Sequence, residues 1–574
     1  MKNKLHLLTF AVAITLANGA HAQFTGPSSS ASSYVVPLAP GVITKSILSV
    51  GDDAIPGAGT FRMVGIPDGL GAFQTPTDVS NGTLTVFMTH ETGPLDGVVR
   101  AHGSVGSFIS KFTVDATTLA VTAGSDLMTN VQVWNPGTSS YQLANPTTQG
   151  NNLGGQINRF CSADLPAVSA FFNSGTGLGT QERIFLAGEE TRPPFSANHG
   201  RQFGVMATGA DAGTAFELAR LGNGSWENYV FSPTARNLTI GIGFDDADAS
   251  TTKDGNSSEL YMYVGTKTNS GNDIARAGLT NGNLYAFKLD AFGVSTTAIT
   301  EESQPFALGS ASLTTQADFT LFNHGNVEND GPGITQQAND DANGVTSFRR
   351  IEDGVWSPGA ANKFFFLTTD GFDSTPTSDS TGARSRLWEV TFTDIDNPTA
   401  GGDIKLLING VTKTPLANAE QTYGPQMMDN ITAVLGVDGV TRLLIQEDIG
   451  GNADSGKIWM YTPSTDELLL VAEHDSARFG DNGANPNSPT DDTLPTGVFN
   501  NDEEASGIIP VWDTLGLGWF LMTDQAHYLT GDTETVQGGQ FQAIYIPQAV
   551  PEPSTALALI GGAGMLLGLR RRRA

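Results

Sequence analysis

Short apolar runs separated by turn residues extend along almost the whole chain. Outside the two ends, almost no segment places apolar residues at the 3.6-residue spacing that an amphipathic helix requires. The runs, such as those in GTLTVFMTHETG (82–93) and ERIFLAGEETR (182–192), have the length of strands and are bounded by Gly, Thr, Asn and Asp. We therefore predict an all-β protein, which for a body of about 525 residues means a β-propeller or several β-sandwiches.

A recurring unit distinguishes between these two architectures. It is clearest in EDGVWSPGAANKFFFLTTDGF (352–372), DNITAVLGVDGVTRLLIQEDIG (429–450) and EEASGIIPVWDTLGLGWFLMTDQAH (503–527). Each unit begins with acidic or amide residues, continues as an apolar strand, turns, and returns on a second strand that ends in acidic or amide residues. Internal repeats of this kind are typical of propellers and solenoids.

Six strand ends define the repeat, and they are Glu91, Glu190, Lys267, Asp370, Asp448 and Gln525. Successive ends are 99, 77, 103, 78 and 77 residues apart. We predict a six-bladed propeller with long insertions between its strands. Because equivalent strand ends of all blades meet on one face of a propeller, residues far apart in sequence would share one site. Tandem sandwiches would keep those residues apart.

The N-terminal segment has the pattern of a secretory signal peptide. Lys2 and Lys4 precede an apolar run that ends at Ala20-His21-Ala22, a small-x-small cleavage pattern. We predict that residues 1–22 are removed and that the mature chain begins at Gln23. One propeller domain then covers residues 23–548.

The C-terminal residues 549–574 contain three parts in order, which are Pro551-Glu552-Pro553, an apolar stretch and Arg570–Arg573. This tail resembles the PEP-CTERM sorting signal of Gram-negative bacteria. The resemblance implies export across the inner membrane, removal of the tail by an exosortase-type protease, and a final location at the cell surface or outside the cell. The membrane would be contacted only through this segment before processing. An ordinary C-terminal anchor that is never cleaved is the alternative.

The body of the protein is strongly acidic. The whole chain has 30 basic and 59 acidic residues. Without Lys2, Lys4, Glu552 and Arg570–Arg573 of the terminal segments, 24 basic and 58 acidic residues remain, which gives a net charge of −34. Such a body repels nucleic acid and anionic membranes, so neither is an expected partner. The charge also suits a protein that concentrates divalent cations, although solubility alone would account for it.

Acidic residues accumulate where the repeating strands begin and end. The pairs are His90-Glu91, Glu189-Glu190, Glu352-Asp353, Asp429-Asn430, Glu447-Asp448 and Glu503-Glu504. One such residue is usually a solvated turn residue, but six pairs at repeating positions favour a shared cation site. Ca²⁺ takes roughly six to eight oxygen ligands. Without a cation, crowded carboxylates repel one another and their pKa values rise.

The order of these motifs resembles that of the PhoX-type alkaline phosphatases, a propeller family of secreted bacterial phosphomonoesterases. The matching elements are THE, a lone cysteine, GEE, Arg-x-Glu, Pro-x-x-x-Asp-Asn, QED, and Glu-x-x-Gly leading to Gln-x-His. The similarity covers most of residues 80–530, including 245–250 and 275–289. That family uses iron and calcium together, with an arginine and acidic groups around the phosphate.

The resemblance assigns a role to each matching residue. Arg350 would hold the phosphate of a small phosphorylated substrate, because its planar guanidinium can donate two hydrogen bonds to phosphate oxygens. Glu352 would act beside it in catalysis and bind metal. Cys161 would be a ligand of Fe³⁺. The remaining metal residues, with Ca²⁺ as the second cofactor, would be Glu91, Glu190, Asn430, Asp448 and Glu504.

Three departures from the family pattern keep alternatives open. The stretch between Cys161 and Glu189-Glu190 is longer, Lys267 ends a strand without a carboxylate, and His90 lies in a different context. A non-catalytic, calcium-stabilised propeller at the cell surface or in the extracellular polysaccharide matrix is one alternative, and a calcium-only propeller phytase is another. Cys161 is the only cysteine, so it has no disulfide partner within the chain and, taken alone, fits a small buried hydrophobic residue.

Overall fold

Six four-stranded antiparallel sheets surround a central channel in the computed structural model of the chain. The structure describes residues 22–149, 153–191, 200–247, 258–289, 316–330, 333–371, 385–409, 424–450, 452, 455–479, 499 and 502–550. The innermost strands of the six sheets contact one another in succession, and the sixth contacts the first, so the ring is closed. The predicted all-β, six-bladed propeller is confirmed.

Each blade follows the chain from the channel outwards. The strands are, in blade 1, Pro67–Phe73, Thr83–His90, Phe108–Asp115 and Val121–Asp126; in blade 2, Phe160–Asp164, Ile184–Glu189, Gly200–Met206 and Thr214–Glu217; in blade 3, Trp226–Phe231, Leu238–Asp245, Ser258–Thr266 and Asn283–Leu289; in blade 4, Ile351–Trp356, Lys363–Thr368, Arg386–Phe392 and Gly402–Asn409; in blade 5, Met428–Leu435, Thr441–Glu447, Lys457–Thr462 and Glu467–His474; and in blade 6, Glu503–Pro510, Trp519–Leu529, Gln537–Tyr545 and Ile43–Ser49.

The N-terminal part of the described chain closes the ring. Ile43–Ser49 pairs antiparallel with Gln537–Tyr545 and so forms the outer strand of blade 6. Ala22–Phe24 adds a parallel strand to that edge, and Val35–Pro37 extends blade 5. This pairing of the two ends of the chain covers sheet edges that would otherwise be open to association.

The remaining elements decorate the blades. One long strand, Gln316–Gly325, pairs with the outer strands of both blade 3 and blade 4 and joins them into one sheet. The other strands are Asn130–Asn135, Ser140–Leu143, Asn145–Gln149, Gly154–Gln156, Phe172–Asn173, Leu178–Gly179, Asn223–Gly224 and Ser347–Phe348. The helices of the described residues are Pro76–Asn81, Val168–Phe171, Asp273–Arg276, Gly333–Asn343, Ser476–Phe479 and Trp512–Leu515, with 3-10 turns at Ala219–Leu221, Pro398–Ala400 and Pro547–Ala549.

The apolar runs of the sequence are mainly the second strands of the blades. In Thr83–His90, Ile184–Glu189 and Leu238–Asp245, almost every residue is buried. Each of these strands is covered on both faces by neighbouring blades, so it reads as a continuous apolar run and not as an alternation. Solvent reaches the outer strands, and Val121–Asp126 is mostly exposed or half-buried.

Both predicted sorting segments lie largely outside the described residues. The signal peptide falls in residues 1–21 apart from Ala22, and the apolar part of the C-terminal segment falls in residues 551–574. Within the part of the chain that the structure describes, no helix is long and apolar enough to cross a bilayer.

Candidate functional site

One backbone hydrogen bond recurs in all six blades and defines equivalent positions. In each blade, a residue near the C-terminal end of the second strand donates its backbone N–H to the carbonyl of the residue immediately before the inner strand. The six pairs are Glu91 to Ile66, Glu190 to Arg159, Asp246 to Ser225, Thr369 to Arg350, Asp448 to Met427 and His527 to Asp502, with N···O distances of 2.7–3.0 Å. The chain therefore presents the same two positions six times at one end of the channel.

The residue two positions after each of these carbonyl acceptors lies on the inner strand and carries a carboxyl or thiol group. These residues are Asp68, Cys161, Glu227, Glu352, Asp429 and Glu504, and all six are buried. In the first five blades the pairing register of the inner strand shifts across this position, between residues 67 and 70, 160 and 163, 226 and 228, 351 and 354, and 428 and 431. A β-bulge of this kind bends a strand and redirects one side chain, so the bulges account for the shared direction of these ligand-type groups.

Four of the acceptor residues have left-handed backbone conformations. The φ angles are 49° at Ile66, 48° at Arg159, 56° at Arg350 and 44° at Met427. Residues other than glycine rarely adopt positive φ, and such strain costs on the order of 1–3 kcal/mol per residue. The surrounding blade packing holds this unfavourable conformation at the entry to the bulge.

The inner and second-strand positions together form three overlapping groups of ligand-type atoms. The groups are Asp68, Glu91 and Cys161; Cys161, Glu190 and Glu227; and Glu227, Glu352 and Asp429. Within each group the ligand atoms lie within 4.8 Å of one another. Because Cys161 and Glu227 each belong to two groups, the three groups form a continuous series across the channel.

Several atoms of this cluster lack the partners that burial normally requires. Among the described residues, Oδ1 of Asp68 and Oε1 of Glu227 accept no hydrogen bond. The Nε2 atom of Gln525 lies 2.8 Å from Glu91 Oε2, 2.9 Å from Asp68 Oδ2 and 3.1 Å from Glu504 Oε1. An amide nitrogen carries only two hydrogens, so it cannot satisfy three acceptors. Buried oxygens without donors are costly, and cations would satisfy them, so the donor set fits bound metal.

Burial controls the protonation of the cluster in the absence of a cation. Burial, followed by repulsion from neighbouring carboxylates, raises the pKa values of five carboxyl groups well above their usual range, namely Asp68, Glu227, Glu352, Asp429 and Glu504. The same causes raise the pKa of the Cys161 thiol, and burial raises the pKa of Glu190 to about 8. Cations bind the deprotonated forms, so a cation that entered this cluster would displace protons from it.

Glu91 is the exception in this cluster. Burial opposes its ionisation, but the Arg159 guanidinium and the hydrogen bond from Gln525 outweigh burial, so the pKa of Glu91 lies below its usual value. Glu91 therefore stays a carboxylate.

Two arginines lie at the solvent-facing side of the cluster. Arg159 Nη2 contacts Glu91 Oε1 and lies 2.5 Å from Glu190 Oε2. Arg350 Nη2 lies 2.8 Å from Asp246 Oδ2 and 3.1 Å from Glu352 Oε1. Their side chains are 47% and 30% exposed, whereas the carboxylates they contact are buried or nearly so. Each guanidinium group is thus held by buried carboxylates and is also partly exposed to solvent.

A hydrogen-bonded layer supports the cluster from the channel side. Asn430 donates from Nδ2 to Asp429 Oδ2 at 2.9 Å, and its Oδ1 accepts from Ser162 Oγ at 2.9 Å and from the Gly507 N–H. Asp353 accepts from Asn228 Nδ2 at 2.7 Å. A cavity of about 180 Å³, lined by residues of all six inner strands, includes this layer in its walls. The layer therefore holds Asp429 of the ligand groups in place through Asn430.

The structure brings the predicted site residues to one end of the channel. Glu91, Cys161, Glu190 and Glu352 belong to the three ligand groups, while Arg350 contacts Glu352. Glu504 contacts Gln525, and the backbone of Asp448 pairs with that of Glu504. Asn430 belongs to the hydrogen-bonded layer next to the cluster and contacts Asp429. The neighbouring acids have structural partners, since Glu189 pairs with Arg201 at 2.7 Å and Glu447 accepts from Trp459 Nε1 at 2.8 Å.

Sequence reasoning missed several residues of this cluster. They are Asp68, Arg159, Glu227, Asp246 and the ligand-type placement of Asp429. Lys267 does not occupy the equivalent position in blade 3, because it follows the third strand, which runs in the opposite direction, and its Nζ donates to Leu238 O at the far end of the blade. A usable signal was present, since Glu227 precedes Asp246 by 19 residues, as Asp429 precedes Asp448.

Fold and site together define a six-bladed β-propeller with a carboxylate- and thiol-lined centre at one end of its channel. Pseudomonas fluorescens PhoX, solved in complex with vanadate, a transition state analogue, has a similar structure, with a TM-score of 0.55 over 91% of this chain and 97% of that chain. The sequences are 11% identical. The predicted resemblance to PhoX-type phosphatases is therefore confirmed at the level of the fold.

The C-terminal segment also matches a known family. The family model of the PEP-CTERM protein-sorting motif matches residues 549–573, as predicted. A puromycin-hydrolyzing peptidase of Mycobacterium tuberculosis matches with 7% identity over 80% of this chain and 53% of that chain, but its TM-score of 0.25 is too low to bear on the fold. A search of curated protein sequences finds no match.

Proposed function

We propose that the protein is an exported, metal-dependent phosphomonoesterase. The observation that carries the proposal is the convergence of three ligand groups, centred on Cys161 and Glu227, beneath two solvent-facing arginines. Phosphoryl transfer places negative charge on the phosphate oxygens, and cations with arginines are the groups that stabilise it. The similarity of the fold to that of PhoX agrees with this function.

The donor sets suggest which metal each group would hold. The two groups that share Cys161 combine a thiol with carboxylates, and a thiolate favours a transition metal such as iron over Ca²⁺. Glu227, Glu352 and Asp429 offer only oxygen ligands, which suit Ca²⁺. When bound, such cations supply charge neutralisation at the phosphate and lower the pKa of the water they coordinate.

Arg350 would hold the substrate phosphate. Its Nε and Nη2 atoms are held by Asp246 at 3.1 Å and 2.8 Å, so the guanidinium plane is fixed before substrate arrives. Its Nη1 group forms no hydrogen bond within the described ranges, and the side chain is 30% exposed. A preoriented guanidinium loses little entropy when it binds an oxyanion. Glu352 contributes a carboxylate both to this anchor and to the cation group.

Elemental analysis paired with an activity assay tests the proposal. We expect the exported wild-type protein to contain iron and calcium and to hydrolyse p-nitrophenyl phosphate. Cys161→Ser, which replaces the buried thiol with a similar volume, should lose iron but keep calcium. Arg350→Gln should keep both metals and lose activity by about 100-fold. Arg442→Gln, which removes an arginine paired with Asp438 at the other end of blade 5, is the control and should match wild type.

A specific result would replace this proposal with the non-catalytic one. Calcium without iron, combined with no hydrolysis at any pH in the presence of calcium, would leave a calcium-stabilised propeller without this chemistry. The sorting motif at residues 549–573 is compatible with both functions. We also propose that this motif is processed by an exosortase-type protease after export, so that the body ends at the cell surface or outside the cell.

A further inference from the structure

The described chain leaves the propeller at the end of the channel that is far from the cluster. The third strand of blade 6 ends at Tyr545, which pairs with Trp519 at the start of the second strand. The turn Pro547–Ala549 follows, and Val550 is the last described residue. The second strand reaches the cluster six residues after Trp519, at Gln525, so the two ends of the blade are about 20 Å apart.

Large apolar side chains are exposed around this exit in three neighbouring blades. They lie at the connections between inner and second strands, and they are Val79 in blade 1, Leu435 and Val437 in blade 5, and Leu517 in blade 6, each 41–64% exposed. Single exposed apolar residues are ordinary, whereas a group on one face marks a site of contact with a protein or a membrane. We call these four residues the exit patch.

Close backbone contacts place the exit patch beside the last described residues. Gly436, in the blade 5 connection, packs so closely on the C-terminal turn that an added Cβ would lie 3.3 Å from the carbonyl oxygen of Ala549. In the blade 6 connection, the carbonyl of Gly518 accepts a hydrogen bond from the Ile546 N–H at 2.8 Å. The chain therefore emerges between the blade 5 and blade 6 parts of the patch.

An apolar cavity of about 730 Å³ continues the patch from blade 5 to blade 1. Val79 and Leu435 both belong to its wall. Among the described residues, Arg183 and Asp513 are the two charged residues of that wall, and their charges have opposite sign. This end of the channel is therefore apolar and carries little net charge, although the body as a whole is strongly acidic.

The C-terminal segment limits which surface can come near the exit patch. The match to the PEP-CTERM motif begins at residue 549, and the apolar run Ala556–Leu569 begins six residues after Val550. Six residues reach at most about 20 Å. The run has 14 residues, which in a helix measure about 21 Å, less than the roughly 30 Å of a hydrocarbon core. A span that is too short draws its flanking residues towards the bilayer, so the face that bears Val550 comes to the headgroups.

We propose that the exit patch binds the lipid surface of the membrane while the C-terminal segment is still attached. This inference rests on the proposed export and processing of the sorting motif, and it adds a contact between the body and the bilayer. Uncharged lipid fits this contact better than anionic lipid, because the body is acidic. The cluster then lies at the end of the propeller that faces away from the membrane and stays open to soluble substrates.

Fluorescent labelling of the full-length, uncleaved protein in phosphatidylcholine vesicles tests this contact. Val437→Cys and Leu517→Cys each place a thiol in the patch for an NBD label, whereas Cys161 is buried and should stay unlabelled. Val99→Cys is the matched control, because Val99 is 67% exposed in the connection that follows Glu91 at the cluster end. After insertion into vesicles, the labels at 437 and 517 should lose most of their quenching by aqueous iodide and be quenched by spin-labelled lipid. The label at 99 should keep its iodide quenching.

A charge in the patch separates apolar contact from simple tethering by the tail. In the labelled Val437→Cys protein, Leu517→Asp should restore most of the iodide quenching, because a carboxylate opposes entry into the membrane interface. Val99→Asp is the control and should change nothing. If the label stays protected in the Leu517→Asp protein, the tail alone holds the body at the membrane and the patch contact is overturned. Protection from iodide without quenching by spin-labelled lipid would also overturn it, because protein, such as a second copy of the chain, would then cover the patch.

Flotation with the vesicles distinguishes failure of this inference from failure of the proposed function. A protein that floats with equal iodide quenching of all three labels would overturn the patch contact and leave the proposed sorting in place. A wild-type protein that does not float would remove both the patch contact and the proposed membrane stage of processing. A floated protein with protected patch labels but no hydrolysis of p-nitrophenyl phosphate would support the patch contact and remove only the phosphomonoesterase.

Discussion

At the scale of the residue, Gln525 shows how the cluster is balanced without metal. Its Nε2 atom is within 3.1 Å of carboxylate oxygens from Asp68, Glu91 and Glu504, and its own Oε1 has no partner among the described residues. Three carboxyl oxygens converging on one nitrogen form the surroundings of a cation. The amide thus substitutes only partly for a missing positive charge.

This geometry predicts the behaviour of Gln525→Glu. Without divalent cations, the added buried carboxyl group should destabilise the protein by roughly 2–4 kcal/mol, because it faces three acids and removes the amide N–H that donates to them. With calcium, the extra oxygen ligand should recover most of that stability. Thermal melts in EDTA and in CaCl₂ measure the difference.

Gln74→Glu is the matched control for Gln525→Glu. Gln74 is half-buried, and its amide donates to Thr83 O at the start of the second strand of blade 1, at the opposite end of that strand from the cluster. The melting temperature of the Gln74→Glu protein should respond to calcium as that of the wild type does. If the calcium response of Gln525→Glu equals that of Gln74→Glu, Gln525 does not adjoin a cation site.

At the scale of the element, the strands themselves could be predicted more reliably than which strand of one blade corresponds to which strand of another. The apolar runs and the acidic strand ends of Glu91, Glu190 and Asp448 are local properties, and they indicated both the propeller and one face of it. In blade 3, the most apolar run is the third strand, Ser258–Thr266, so its end at Lys267 suggested the wrong position. The second strand, Leu238–Asp245, contains two glycines and reads less clearly as a strand.

Packing explains why glycine occupies these two positions and position 188 of blade 2, and this packing cannot be read from one sequence. A Cβ atom at Gly188 would lie 2.5 Å from the Trp226 Cβ, and one at Gly243 would lie 2.3 Å from the Tyr229 ring. Large aromatic side chains of the blade 3 inner strand thus occupy the space where side chains of the second strands would be. The inner-strand residues Asp68 and Glu227 were missed for a related reason, since their direction depends on bulges that form only in the folded sheet.

Gly188→Ala tests whether this close packing also positions the site. The added methyl group should push Trp226, and with it the adjacent Glu227, away from blade 2. We expect a loss of about 1–3 kcal/mol in the free energy of unfolding, measured by urea denaturation, and weaker calcium binding, measured by calorimetry.

Gly137→Ala provides the comparison for Gly188→Ala. Gly137 lies in an exposed turn, where the nearest atom to a new Cβ is Asn135 Oδ1 at 3.2 Å, and its stability should stay within about 0.5 kcal/mol of wild type. A Gly188→Ala protein that is destabilised but binds calcium normally would separate blade packing from the site.

At the scale of the whole molecule, closure of the ring forces acids from six blades into one buried place. Burial raises the pKa of Glu190 to about 8 and those of Asp245 and Asp353 to about 7, compared with ordinary values of 4.5 and 3.8. Between about pH 4 and pH 8 these three groups therefore hold more protons in the folded protein than in the unfolded chain. Their contribution to stability falls as pH rises through this range.

Cations should reverse this pH dependence, because they bind the deprotonated carboxylates. In EDTA, we expect the melting temperature to decrease from pH 5 to pH 8. CaCl₂ should raise it at both pH values and by several degrees more at pH 8, since fewer protons compete there for the ligand oxygens. The protein is highly acidic overall, so simple screening must be separated from binding, and NaCl of equal ionic strength is the control. Melting curves that shift in the same way with NaCl and with CaCl₂ would show that the clustered acids are stabilised by ionic strength alone. A calcium effect that grows with pH would show that calcium binds the deprotonated carboxylates and stabilises the closed ring through them.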